Sequence, residues 1–174
     1  DTGVMRYYML SFDRDTHGGP HSYGNIYLYE AEEAVGLPAV EPDAEVEELE
    51  PIMDGKITSA QQVMQIRNDL SGNYTLEADI DLSEVENWVP IGTKEAPFTG
   101  SFNGNGHVIA NLTSERPDAL DVGLFGVIGA GASVSNLTVR GAEVSGRIYT
   151  GILAGRNEGV VTDCTVSGDV TTYA

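Results

Sequence analysis

The chain has 174 residues, 41 % of them hydrophobic and only 7 % aromatic, with 21 glycines; this allows one domain, or one small domain with an appendage, and suits turn-rich β structure better than helical bundles. Twenty-seven acids against nine bases leave a net charge of −18, which argues against nucleic acid and anionic membrane surfaces as partners, because both require a positive field. A single cysteine, Cys164, excludes an internal disulfide, and no run of 18 apolar residues is present to insert into a membrane.

Residues 1–29 read as two strands of a β-sandwich-like module. "MRYYMLSF" and "NIYLYE" alternate apolar and polar positions around the loop "DRDTHGGPHSYG". Residues 30–55 form an acidic, proline-containing linker. Its acids, with no Lys or Arg until Lys56, predict a stiff, self-repelling, extended segment. An acidic strip of this kind is also the chain's candidate for calcium, but it lacks the ordered ligand spacing of an EF-hand, and the expectation is no cofactor.

Residues 56–174 carry the organised part. In "TSAQQVMQIRNDL", Thr58 or Ser59 can cap a helix with Gln61 or Gln62 three residues on, and Val63, Ile66 and Leu70 fall on one face. Short β-like pieces follow, each punctuated by Gly, Asn or Asp: "NYTLEADIDL", "FTGSFNGNGHVIANLT", "VGLFGVI", "SVSNLTV", "GILAG" and "VVTDCTV". The tails of three pieces superimpose, which places Leu112, Leu137 and Cys164 in one column. Val139 then matches Val166, Gly141 matches Gly168, and the heads pair Gly123 with Gly151 and Phe125 with Leu153. A period in the twenties built from short strands and glycine turns marks a solenoid. The L-x-x-L-x-L-x-x-N frame of leucine-rich repeats is absent, so a β-helix fits, with apolar positions stacked inside and outward positions free to drift. Glycine suits the corners, and Asn or Asp tolerates left-handed backbone at the bends. Cys164 is expected to be a small buried hydrophobe, and the helix to cover the first coil.

"GLFG" and "GILAGRNEGVVTDCTVSG" resemble the GLUG repeat of bacterial surface and secreted proteins, and "ITSAQQVMQIRNDLSGNYTLEADIDLS", "WVPIG" and "PFTGSFNGNGHVIANLT" resemble the segment that precedes such repeats. The resemblance covers roughly residues 56–174. It implies an all-β fold, a right-handed parallel β-helix with an N-terminal capping helix, as in adhesin-like proteins and the non-catalytic N-terminal part of immunoglobulin A1 peptidases. The H-E-x-x-H signature of those peptidases is absent, so no catalytic residue carries over. Residues 4–30 resemble the last strands of a discoidin-like carbohydrate-binding module, with Asn25 where that family often has a calcium-holding acid.

Three candidate chemistries remain. "DRDTHGGPH" gathers His17, His21, Asp13 and Asp15, a pattern that loop polarity explains as well as metal binding. Asp79 and Asp81, two apart on an expected strand, form with Glu77 an acidic row facing one side. They are candidate ligand-binding residues, with Trp88 as a candidate sugar-stacking platform; the alternative for Trp88 is packing in the first coil. A hydrolytic groove would need clustered acids with bases, and Asp118, Asp121, Arg116, Arg140 and Arg147 could supply them, though coil matching does not align them. His107 reads as a solvated turn residue. Asn73, Asn111 and Asn136 match the N-glycosylation acceptor, the last two at expected bends. The expectation is a non-catalytic extracellular or bacterial cell-surface fragment, a stalk or adhesion module whose partner is a glycan or a host surface protein. The alternative is an accessory domain of a large extracellular enzyme. The chain's opening on Asp1 and stop within repeat-like sequence read as an excised piece of a larger protein.

Overall fold

A computed structural model describes residues 51–173. The expected sandwich strands, the "DRDTHGGPH" loop and nearly all of the acidic linker lie outside the described residues. The elements in chain order are β1 (Lys56–Ile57), α1 (Ala60–Gln65), a 3-10 turn (Ile66–Asn68), β2 (Asn73–Leu76), β3 (Ile80–Asp81), β4 (Ser101–Asn103), β5 (Val108–Ala110), β6 (Thr113–Glu115), β7 (Asp121–Val122), β8 (Phe125–Ile128), β9 (Ser133–Ser135), β10 (Thr138–Gly146), β11 (Tyr149–Thr150), β12 (Ala154–Asn157), β13 (Val160–Thr162) and β14 (Thr165–Thr172). They stack as a parallel β-solenoid of about four turns. One sheet runs β1-β2-β4-β9-β13 and a second runs β3-β5-β10-β14, with β6 also paired to β10. Two-stranded ladders β7–β11 and β8–β12 complete the walls.

The helix forms as its cap predicts. Ser59 Oγ accepts from the Gln62 N–H at 3.3 Å, and the Gln62 side chain reaches back to the Thr58 N–H at 2.7 Å. The helix is short and tightens into the 3-10 turn, which leaves Leu70 beyond it and half-buried. Val63 and Ile66 join the core that begins at Ile57.

Alternation does the rest. In β2, β4 and β9 every second side chain is buried, and the parallel register places those side chains over one another. Tyr74, Phe102, Val134 and Val161 form one column. Ile80, Ile109, Val139 and Val166 form another. Aromatic rings fill the middle: Phe125 lies 5.1 Å from Phe98 and 5.7 Å edge-on from Phe102. Corners use left-handed backbone at Asn111, Asn136 and Asp163, with φ of 59°, 52° and 52°.

The register corrects several expected matches. Thr138 pairs with Val108 and with Thr165, so Leu137 stands beside Cys164 of the following coil, while in the preceding coil it packs on Gly104. Leu112 belongs to the next column, because Thr113 pairs with Glu143 and Leu112 therefore faces Ala142. A register shift in β10 sets Gly168 opposite Ala142 instead of Gly141. Phe125 pairs with Ala154 instead of Leu153. Cys164 is half-buried, not fully buried, and its Sγ donates to Thr162 O at 3.2 Å. At this last described coil the column positions open to solvent, with Val166 and Val170 each 45 % exposed.

Removing the central ring by Phe125→Ala is expected to cost about 3–5 kcal/mol in chemical denaturation, the usual range for a buried aromatic. Val166→Ala, in the exposed last rung, should cost less than about 1 kcal/mol in the same assay.

Candidate functional site

The acidic row is on the surface, as its spacing indicates, but only Asp81 lies within β3. Asp79 Oδ1 accepts from the Val108 N–H at 2.9 Å and faces His107 Nδ1 at 3.1 Å. Asp81 Oδ1 accepts from the Ser83 N–H and from Asn111 Nδ2, both at 2.9 Å. Both carboxylates therefore tie their own coil to the next one, and Glu77 is exposed beside them. These bonds hold both acids below the usual carboxylate range. For Asp79 the largest cause is the Val108 N–H, followed by His107; for Asp81 it is the Asn111 amide, followed by the Ser83 N–H, with Arg140 a smaller contribution at each. Asp69 is lowered likewise, first by the Ser71 hydroxyl and then by the Ser71 N–H. His107 closes the turn that starts at Gly104, but its ring is half-buried against Asp79, so it is more than a solvated turn residue.

Trp88 is fully buried, which overturns its reading as a sugar-stacking platform. Its Nε1 donates to Leu124 O at 3.0 Å, and its own carbonyl accepts from Ser114 Oγ and Arg116 Nε, both at 2.9 Å. The Arg67 guanidinium lies 4.8 Å from the ring centroid. The indole is a packing element of the early coils, with no face open to a ligand.

The five dispersed charges do not converge. Asp121 is paired with Arg156 at 2.6 Å, and that guanidinium lies 4.0 Å from the centroid of Tyr149. Arg140 stands beside Ala110 in β5, close enough to act on Asp79 and Asp81. Asp118 and Arg147 are exposed. Only Arg116 and Asp121 line one groove. The acceptor asparagines are tied into the coil stack: Asn73 Oδ1 accepts from Ser101 Oγ at 2.7 Å and Asn136 Nδ2 donates to Asn103 Oδ1 at 3.1 Å.

A different surface concavity, of about 310 Å³, was not anticipated from the sequence. It is lined by Thr113, Glu115, Glu143, Ser145, Asp169 and Tyr173 on the outer side of β6, β10 and β14. Register explains the clustering: Glu143 stands between Thr113 and Asp169, and Ser145 stands between Glu115 and Thr171. The signal lay in "GAEVSG" and "GDVTTY", whose alternate outward positions share one face. Hydroxyls and carboxylates there can bond a polyhydroxylated ligand. Among the described residues, no group of three or more His, Cys, Asp or Glu is placed to hold a metal ion, and no helix is long and apolar enough to cross a membrane.

No protein-family profile matches the chain. It is 37 % identical over 107 residues to halomucin of Haloquadratum walsbyi, a match covering 56 % of this chain and 1 % of halomucin. It is 35 % identical over 120 residues to a protein of Evansella cellulosilytica described as a Gly-rich membrane protein, covering 63 % of this chain and 14 % of that one. The chain thus spans a small part of the length of the curated relatives it matches. A crystal structure of a Bacteroides ovatus protein described as an immunoglobulin A1 protease superimposes with a TM-score of 0.57 at 25 % identity, over 66 % of this chain and 38 % of that chain.

Acid should loosen the structure through the depressed carboxylates. Their folded pKa values lie below the ordinary value of about 3.9, so the stabilisation is fully present above that value and is lost as pH falls through the folded values. The melting temperature should therefore hold level above about pH 5 and fall below it. In an Asp79→Asn/Asp81→Asn variant, scanned by circular dichroism, that fall should be shallower. An unchanged acid limb would remove these ties from the account.

Proposed function

We propose that this chain is a non-catalytic segment of a larger extracellular or bacterial cell-surface protein. It acts as a rigid stalk that spaces or displays other parts, and recognises a glycan or a host surface protein along its walls. The carrying observation is how the polar surface is used. Asp79, Asp81, Asn73, Asn103, Asn111 and Asn136 bond from one coil to the next, so they hold the stack together. Among the described residues the interior is packed with apolar side chains along the columns. Likeness to halomucin and to a membrane protein favours a surface setting, and membership of the GLUG-repeat group is the finer form of this reading.

A second reading, accessory domain of a large extracellular enzyme, is favoured by the similarity to the protein described as an immunoglobulin A1 protease, of which the matched part is 38 %. In that setting the same solenoid would position a catalytic unit instead of an adhesive one.

The proposal predicts that the solenoid from β1 to β14 resists limited proteolysis, its peptides remaining uncut when followed by mass spectrometry. It also predicts that the chain cleaves neither immunoglobulin A1 nor pectic and host glycans. Turnover that disappears in Asp79→Ala, Asp81→Ala or Asp121→Ala would overturn the non-catalytic reading.

A further inference from the structure

A second groove, of about 330 Å³, lies where the chain between β3 and β4 meets the chain leading into β7. Val89, Pro90, Ala119 and Leu120 give it apolar walls, and Lys94 and Arg116 bring two cations to it. Of the two carboxylates in the lining, Asp121 is neutralised by Arg156, and Glu95 is exposed on the loop turned by the Thr93 N–H donating to Ala96 O. Behind the groove, Arg67 Nε donates to Val89 O at 3.0 Å.

In a chain with three acids for every base, this convergence of cations stands out. Arg116 anchors through Nε to Trp88 O at 2.9 Å and through Nη2 to Asn87 O at 3.3 Å. Those acceptors are neutral carbonyls, so its charge is oriented but not cancelled. Neither Arg67 nor Arg116 forms an ion pair with a carboxylate among the described residues. The Arg67 guanidinium is held below its usual range, first by burial and second by the nearby charge of Arg116. An anion arriving beside Arg116 would offset that repulsion.

Several backbone groups around the groove are already bonded. Val89 O is taken by Arg67, Leu120 O by the Tyr149 N–H, Ala119 O by the Arg147 N–H and the Arg116 N–H by Ser145 O, while Pro90 has no N–H. An extended peptide that adds to a sheet edge needs such groups free. A ligand read by side chains does not. Apolar walls suit the C–H face of a sugar ring, a cationic pair suits its carboxylate, and Thr93 and Glu95 suit its hydroxyls.

We propose that this groove is a binding site for a carboxylate-bearing saccharide, with Lys94 and Arg116 holding the carboxylate and Val89, Pro90 and Leu120 contacting the ring. This rests on the glycan-recognition part of the proposed function and names its ligand class; the stalk part of that reading stands whether or not the acidic sugar binds.

The test is calorimetric titration of the full chain with three probes: trigalacturonic acid, the neutral galactose trisaccharide, and a short oligoglutamate peptide. Saturable binding of the acidic sugar alone is expected. It should weaken about tenfold in Lys94→Gln, the effect of losing one charge-assisted contact, and weaken again when salt is raised. Arg116→Gln should abolish it. Because Arg116 also supports Trp88, that variant is read only where its circular dichroism and melting match the parent, and the exposed Lys94 decides the matter otherwise. Binding of both sugars equally, binding of the peptide in preference, no binding of the acidic sugar, or indifference to Lys94→Gln would each overturn the proposal.

Discussion

The solenoid formed by the described residues depends on parallel strands stacked in register. Neighbouring strands lie about 4.8 Å apart, so each interior side chain packs chiefly on its counterparts one coil before and one coil after. Such a stack is stabilised by nearest-neighbour terms, and no coil can change its interior without a response from the next. The column Tyr74–Phe102–Val134–Val161 narrows along the stack, and the ring of Phe125, supplied from another wall, meets both Phe98 and Phe102. Aromatic bulk is thus concentrated in the early coils, and the later ones close around aliphatic side chains such as Val134, Leu137, Val139, Ala142 and Ile152.

The same register that stacks apolar groups inside also stacks charges outside, where like charges directly opposite one another destabilise a sheet. The chain meets this in three ways. In the row Asp81–Ala110–Arg140 the charges are opposite in sign, with a neutral residue between them. At Asn103–Asn136 a neutral amide bonds to a neutral amide. At Asp79 a carboxylate accepts a backbone N–H of the following coil. Glu143 and Asp169 break the pattern, since they stand in direct register on one face. That exception lines the hydroxyl-rich concavity, so the wall with the least favourable charge arrangement is also one with an inviting surface.

The architecture was legible because the interior admits few residue types. Apolar character returned at a near-constant interval, and Gly, Asn and Asp returned at corners where φ is positive. The exact register was not legible, for a physical reason. Between Asn103 and Val108 the chain has four residues, Gly104 to His107, where the next coil has only Asn136 and Leu137 between Ser135 and Thr138. The recurring "NLT" at 111 and 136 therefore marked two different corners. Asn111 occupies the place of Gly141, and both adopt left-handed backbone, φ 59° and 60°. Either residue meets that demand, so the local chemistry could not tell the corners apart. The packed alternative for Trp88 was legible from its type. The grooves were not, because outward positions obey no repeat.

The groove lined by Val89, Pro90, Arg116 and Leu120 lies where the solenoid departs from regularity. The largest departure among the described residues lies between Asp81 and Ser101, where no extended ladder forms and strand-type pairing with the next coil shrinks to two isolated bridges, Ile91 to Phe125 and Phe98 to Ile128, supplemented by single hydrogen bonds. Trp88 is the anchor that makes this irregular stretch affordable to the fold: buried, bonded to Leu124, and bonded in return by Ser114 and Arg116. With the indole fixed, Val89 and Pro90 are held against the chain that leads into β7, and the space between becomes a groove with preset walls. Preorganisation of this kind lowers the ordering cost of binding. The residue that sequence reading weighed as a direct ligand contact thus acts one step removed, by shaping the surface on which contact can occur.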